Sequence, residues 1–531
     1  MKKLLNCILL LLICCGCSQD KTTSLNNNYE IDVNSNLPVI YIESNKIKTE
    51  PSLAKMVIYN PIGNELGNQL FSGDIEIKIR GNLTSYRAKR PYKIKLANKA
   101  NLFGMGKSKH WVLLANDLDH TQIRNHITLD FARSIGMKNT SQSKLVTLIL
   151  NGEYQGVYEL AEHVGVGSSR VDIYDWQDTF SSIDGKNIIV KHLEDVKTRV
   201  PQTGGFLLEG DYYNLEGYIE GNEYDEEVIK DKEKMISNIF TDWYMPFKFN
   251  SPEYVYPDTK LYQYTYNYIQ SFEYALHSPD FTYHANDEHY KPINMSSYVD
   301  DDKRVHWNYD LKESNYHNDQ FDGYKYTDFF DLDSLVNYFL INEITMNWDG
   351  MKNSLFIYKD TNNKAYIGPA WDYDLAYGNV NDDNVDYIVD TWKNLDGRFF
   401  SDYDLHFYLS AQWYVELCKN KEFLDAVYEK FWKIRDNEIQ GLIDSVDEYK
   451  VKLRYDCKKN DELWGDRYSL RANDENPDYD NCFSDYTGLE YDYAYVFLKR
   501  FLTDRVAWLD EQMSSKEKFY DSINEALSLL K

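Results

Sequence analysis

The sequence predicts an α+β chain in two lobes: a small, antiparallel, β-rich lobe at residues 37–165, then a larger helical lobe with an insertion. Three patterns predict it. Apolar and polar residues alternate in Asp74-Ile75-Glu76-Ile77-Lys78-Ile79-Arg80 and in Tyr92-Lys93-Ile94-Lys95-Leu96, as half-buried strands require. Lys144–Leu150, Asn151-Gly152-Glu153-Tyr154 and Gln155–Leu160 read as strand, turn and strand, Asn-Gly supplying the positive φ angles of a tight hairpin. Leu332, Leu335, Val336, Phe339, Leu340 and Ile344 recur at helical spacing, as do the apolar residues of Phe423–Ile439 and Tyr493–Met513.

In chain order, residues 1–17 come first. Met1-Lys2-Lys3 is a short positive start, residues 4–13 are almost wholly apolar, and Cys14-Cys15-Gly16-Cys17 follows. That core is short for a membrane span, so it reads as a signal peptide. A small residue before Cys resembles a bacterial lipoprotein cleavage site, with Cys17 acylated, although Cys14 stands where Leu is usual; ordinary secretion with cleavage nearby is the other reading. The expected location is therefore extracytoplasmic, with contact to membrane through the lipid anchor only. Residues 18–36, polar and Asn/Ser-rich, read as a flexible tether.

Within 37–165, Leu37–Ile42 opens the β-rich lobe, and a helix is expected over Thr121–Ile135, closed by Gly136. Residues 166–327 read as a hinge and an aromatic, acidic insertion lying on the second lobe, whose one helical candidate is near Glu226–Phe240. Residues 328–531 form the helical lobe.

A net charge of −27 argues against nonspecific nucleic-acid binding, which needs a basic surface, and would repel an anionic substrate unless a local basic patch or a metal intervenes. The 46 tyrosines suggest either a glycan- or peptide-binding face or, as is usual for Tyr, half-buried core and sheet positions. Beyond the leader only Cys418, Cys457 and Cys482 remain, too few for a disulfide framework; one bridge, Cys457 to Cys482, is expected if any forms.

Residues 331–379 carry the chemistry. The helix ending near Ile344 leads into Asn347-Trp348-Asp349-Gly350-Met351-Lys352-Asn353; two short strands, Ser354–Tyr358 and Lys364–Ile367, follow, then Gly368-Pro369-Ala370-Trp371-Asp372-Tyr373-Asp374. A hairpin returns on itself, so its flanking loops meet and Asp349, Asn353 and Asp372 should converge. Phosphoryl transfer needs a carboxylate to orient or deprotonate the attacking hydroxyl and hard oxygen ligands to hold magnesium. Protein kinases order a helix, a loop with Asp and Asn, a strand pair and a metal-binding Asp in this way. Asp349 would then be the base, Asn353 a metal ligand, Asp372 the main metal ligand and Asp374 its assistant or competitor. No His-Arg precedes Asp349, and Trp-Asp-Tyr-Asp stands in place of Asp-Phe-Gly.

Arg80-Gly81-Asn82, Lys89-Arg90-Pro91-Tyr92-Lys93, Leu102-Phe103-Gly104-Met105, Arg124-Asn125, Leu150-Asn151-Gly152-Glu153-Tyr154, Gly204-Gly205-Phe206-Leu207-Leu208-Glu209, Asn347-Trp348-Asp349 and Gly368–Asp374 together resemble the CotH (spore coat protein H) kinase family. The resemblance runs in order over 37–210 and 328–440. It implies an atypical protein-kinase-like two-lobe fold and an ATP-dependent kinase, using Mg2+ or Mn2+, that acts on exported or surface proteins. Asp349 and Asp372 match the catalytic and metal carboxylates, and Asn353 the loop asparagine. For the nucleotide phosphates Lys89 is the first choice and Lys93 or Lys95 the second, with Arg80 a structural partner or further contact. Glu162, like Glu159, ends the second hairpin strand where a hinge would lie. A surface binding or adhesion lipoprotein that keeps the fold without turnover is the alternative. A glycoside hydrolase is a third option, with ample carboxylates but no identifiable pair.

Overall fold

The computed structural model describes residues 34–62, 65–81, 83–179, 200–210, 239–243, 246–253, 255, 257, 259–286, 293–299, 305–311, 316–351, 353–379, 387–396, 412–464 and 491–529. The leader with Cys17, most of the tether, Cys482 and most of the helical candidate near Glu226–Phe240 lie outside these residues. None of the described helices is long and apolar enough to cross a membrane.

The first seven strands are β1 (Val39–Ser44), β2 (Ser52–Ile62), β3 (Glu65–Ile79), β4 (Tyr92–Asn101), β5 (Lys107–Leu114), β6 (Ser143–Leu150) and β7 (Glu153–Glu162). They close into a barrel in the order β1-β2-β3-β4-β5-β7-β6. The strands are mostly antiparallel as expected, but a closed barrel stands where a kinase-like small lobe was expected. All neighbours are antiparallel except β1 and β6, which pair in parallel from Val39↔Thr147 to Ile42↔Leu150. Alternation specifies which face of a strand is apolar but not which strand lies beside it. The parallel pair covers two edges that an open sheet would leave to solvent.

The barrel interior is filled by the predicted apolar set, among them Ile40, Met56, Ile77, Ile94, Trp111, Val146 and Tyr158. The intervening residues, including Lys78 and Lys93, point outward and face each other across β3 and β4. The hairpin joining β6 and β7 turns at Asn151 (φ 53°) and Gly152 (φ 84°), as its sequence requires. Helix α1 (Arg124–Ser134) lies between β5 and β6, shorter than expected at its start because Asp119 accepts from the backbone N–H of both Thr121 (2.9 Å) and Arg124 (2.8 Å).

A second antiparallel sheet is built from β8 (Phe206–Gly210), β9 (Ile239–Phe240), β10 (Pro246–Ser251), β13 (Leu355–Lys359) and β14 (Ala365–Ile367), in the order β14-β13-β8-β10-β9. A separate hairpin pairs β11 (Ile293–Val299) with β12 (Val305–Leu311). The described helices that follow α1 and bear on the argument are α2 (Lys260–His277), α3 (Leu332–Thr345), α4 (Lys421–Ile434), α5 (Gln440–Lys452), α6 (Arg454–Trp464), α7 (Tyr491–Gln512) and α8 (Lys516–Leu529).

The inserted segment therefore does not lie on the second lobe; much of it is the second lobe. Residues 239–240 are a strand of the central sheet, and the segment's buried helix is α2, with Leu261, Tyr268, Ile269, Phe272 and Leu276 in the largest hydrophobic core. Its many Tyr residues hid the apolar spacing. They follow the core reading: Tyr268, Tyr274, Tyr283 and Tyr326 are buried. Cys418 and Cys457 are buried thiols, and Cys457 donates to the Thr121 carbonyl at 3.7 Å.

Candidate functional site at the barrel and sheet junction

The outer face of the barrel meets the second sheet. Val112 and Ala161 from β5 and β7 share one apolar cluster with Leu207, Phe356, Tyr358 and Trp371. This contact brings the loops at the end of the sheet beside the outward cations of β3 and β4.

The carboxylate side starts at α3. Asp331 caps its first turn by accepting from Ser334 N (2.9 Å), and from Ser334 onward the helix is buried on every face, Asn337, Asn342 and Glu343 included. It stops at Met346, which takes a left-handed φ of 49°. The loop beyond is tied to the loop after β14: Tyr377 N donates to Thr345 O (2.6 Å) and Trp348 N to Leu375 O (3.4 Å). Asn353 N donates to Asp349 O (3.1 Å), and Asn353 Nδ2 reaches Asp349 Oδ1 at 3.5 Å. Ser354 Oγ donates to Asp372 Oδ2 (3.2 Å) and Asn347 Nδ2 to the Asp372 carbonyl (3.4 Å). The hairpin thus brings Asp349, Asn353 and Asp372 together as its topology requires. Met351 (φ 73°), Ser354 (φ 54°) and Asp372 (φ 65°) all adopt left-handed backbone here, the kind of strain that surrounding structure must hold in place.

That support is buried and charged. Lys393 Nζ donates to the Gly350 carbonyl (2.7 Å), next to Asp349. The backbone N–H groups of Lys393 and Asn394 donate to Glu343 of α3 at 2.8 and 2.9 Å. Arg505 of α7 donates to the same carboxylate at 2.9 Å. Gly350 has no room for a side chain, since a Cβ there would overlap Asn342 Oδ1. On the other loop, Tyr373 N donates to Asn125 Oδ1 of α1 (3.2 Å), and Asn379 Nδ2 donates to the Asp374 carbonyl (2.7 Å).

The cation side comes from the barrel. Burial weakens the hold of Arg80, the residue after β3, on its proton, and the charges of Asp372 and of Glu209 on β8 oppose that loss. Burial raises the Asp372 pKa, while Arg80 and the Ser354 hydroxyl pull it back. The Asp374 carboxyl is held well above the usual range by burial and then by Asp372, Asp349 and Asp119. Lys93 Nζ stands 3.4 Å from His163 Nε2, a ring kept neutral by burial and by Lys93 and Arg80.

Three expected positions fall elsewhere. Lys89 is fully buried, its ammonium donating to Gln122 Oε1 (2.8 Å) and Val157 O (2.6 Å), so in this structure it ties β7 to the turn before α1 and offers nothing to a nucleotide phosphate. Burial lowers its pKa to about 7. Lys95 makes an exposed pair with Glu76 at 3.3 Å. Glu162 has the inward register of Tyr158 and Leu160, accepts from Ser169 Oγ (3.1 Å), and is pushed up to about 7 by burial. Sequence reasoning assigned no role to Glu209, Asn125 or Asn347. All three stand in quoted motifs, which was the available signal.

Among the described residues no three His, Cys, Asp or Glu side chains are grouped as a metal site. The donor set nonetheless suits a hard cation: crowded carboxylates hold one another's protons, and Asn347 Oδ1 is buried without a hydrogen-bond partner. Asp372, Asp374 and Asn353 are the groups that would face it.

No curated protein matches the chain significantly. The profile of the CotH kinase protein family matches residues 77–509, a span that holds every one of these loops from Ile77 on β3 to Leu509 on α7. The chain belongs to the CotH kinase family.

Proposed function

We propose that the chain is an atypical protein kinase that transfers the γ-phosphate of ATP to hydroxyl groups of exported or surface proteins. The observation that carries this reading is the meeting of the two acid loops, Asn353 Nδ2 reaching Asp349 Oδ1 at 3.5 Å and Ser354 Oγ donating to Asp372 Oδ2 at 3.2 Å, with the charge of Arg80 acting on Asp372. A cation beside a hard-ligand carboxylate is the arrangement that receives a metal-bound polyphosphate.

Asp372 and Asp374, with the Asn353 amide, hold Mg2+ or Mn2+, and Arg80 and Lys93 contact the phosphates. Such ions are commonly held by one or two carboxylates plus the substrate's own phosphates, so a preformed protein cage is not needed. When bound, the ion neutralises the charge of the transferring group. Asp349 orients the acceptor hydroxyl and takes its proton as the new oxygen–phosphorus bond forms and the bond to ADP breaks. The Asn353 amide beside Asp349 keeps that carboxylate aimed at the acceptor. Cys17 carries the lipid that keeps the enzyme at the cell envelope. Mass spectrometry of the native N-terminus checks this, with an unmodified start elsewhere excluding it.

The experiment is radiolabelled ATP with the purified chain, Mg2+ or Mn2+, and envelope proteins from the same cell. Asp372→Ala abolishes metal-dependent nucleotide binding and transfer; Asp349→Ala abolishes transfer and leaves binding. Labelling unchanged in both variants identifies a contaminant. ATP binding without any transfer identifies a binding lipoprotein that has kept the fold.

A further inference from the structure

The segment just before β1, together with β6, α1 and α5, lines a cavity of ≈ 210 Å³ that opens to solvent beside Lys452. Its polar wall is made by His126, Asp130, Ser143, Lys144, Tyr449 and Lys452. Asp130 pairs with Arg133, so its charge is already met. Lys144 and Lys452 are different. Among the described residues neither ammonium group has a carboxylate within ion-pair distance, and Lys452 lies over the Tyr449 ring at 5.3 Å. Burial and then Lys452 weaken the hold of Lys144 on its proton, and the charge of Asp130 restores part of it. With Asp130 already paired to Arg133, two cations that have no ion-pair partner among the described residues favour a dianion at this cavity in a chain of net charge −27.

The wall is also wired to the Asp372 turn. Tyr449 Oη lies 2.7 Å from His126 Nε2, and His126 Nδ1 lies 2.7 Å from Ser143 Oγ. His126 Nδ1 also lies 4.0 Å from Glu159 Oε1, and Glu159 accepts from Asn125 Nδ2 at 3.1 Å. Asn125 Oδ1 accepts from Tyr373 N.

We propose that this cavity binds a small phosphate-class dianion between Lys144 and Lys452, and that occupancy stiffens the Asp372 turn through the Tyr449–His126–Glu159–Asn125 chain. The phosphate accepts from both ammonium groups and from the Tyr449 hydroxyl. The site does not depend on the chain being a kinase, and its ligand is not the substrate of the cleft.

Calorimetry on the full-length chain tests it, with inorganic phosphate and with glycerol 3-phosphate to separate a free anion from a phosphomonoester headgroup. All proteins carry Lys93→Met, which removes one of the two cleft cations and weakens any phosphate binding there. Binding of at least one probe is expected, and it weakens at least tenfold when Lys144→Met and Lys452→Met are added. Lys452→Met alone, at an exposed residue, gives a smaller loss and guards against misfolding of the combined variant. No binding to the Lys93→Met chain, or binding unchanged in the combined variant, overturns the site. Amide exchange over residues 370–377 slows when the probe binds; unchanged exchange with binding intact overturns the coupling.

Discussion

The barrel and the second sheet bring opposite charges to one junction by different means. In the barrel, Lys78 and Lys93 point outward because Ile77 and Ile94 point inward, and the closed hydrogen-bond ladder leaves the strands little freedom. In the second sheet the acids stand on turns: Asp372 has left-handed backbone, and Asp349 sits in a loop held by a carbonyl contact from Lys393. A cation on a strand is positioned by side-chain alternation. A carboxylate on a strained turn is positioned by everything that packs around it.

The sharpest way to break this comparison is to substitute Lys93 and Lys89 separately. Lys93→Met should weaken ATP binding about tenfold or more while leaving the melting temperature nearly unchanged, because it removes one charge-assisted phosphate contact. Lys89→Met should do the reverse. It leaves Gln122 Oε1 and Val157 O without their buried donor, so denaturation should show a loss of about 1–3 kcal/mol while ATP affinity holds. Equal loss of ATP affinity in both variants would return Lys89 to the cleft.

Next is the support under Asp349. Lys393→Met removes the donor to the Gly350 carbonyl, and steady-state kinetics should show kcat falling about tenfold with KM for ATP little changed. Lys393→Arg should restore part of kcat; a purely structural role would show as a lower melting temperature with kcat intact in the folded fraction.

A smaller effect concerns pH and lies away from the junction. Glu273 of α2 accepts from Trp413 Nε1 (2.8 Å), and burial pushes its carboxyl up to about 8. The folded state then binds a proton more tightly than the unfolded chain. That stability is fully present below about 4.5 and is lost as pH rises through about 8. Glu273→Gln should flatten this decline in melting temperature between those limits, and an identical slope in both proteins would exclude Glu273 as its source. The smallest effect is expected from Lys95→Ala: the exposed pair with Glu76 should contribute within about 0.5 kcal/mol by denaturation, vanishing at high salt.

Sequence alone determined what depends on near neighbours. Alternation specified the inward Ile75, Ile77 and Ile94, Asn151-Gly152 specified its hairpin, and helical spacing specified α3, because each follows from the geometry of a few consecutive residues. The meeting of Asp349, Asn353 and Asp372 was legible for the same reason, since one hairpin separates them. Tertiary structure decided what depends on distant neighbours. The pairing of β1 with β6 closed the barrel, and α2 entered the core on Tyr and Phe side chains that read as polar in pattern. Lys89 and Lys93 lie four residues apart on one basic segment, yet one is sealed beneath β7 and the other faces His163. A side chain's own residue type sets its charge, but the elements folded over it set whether that charge meets water, a carbonyl or a carboxylate.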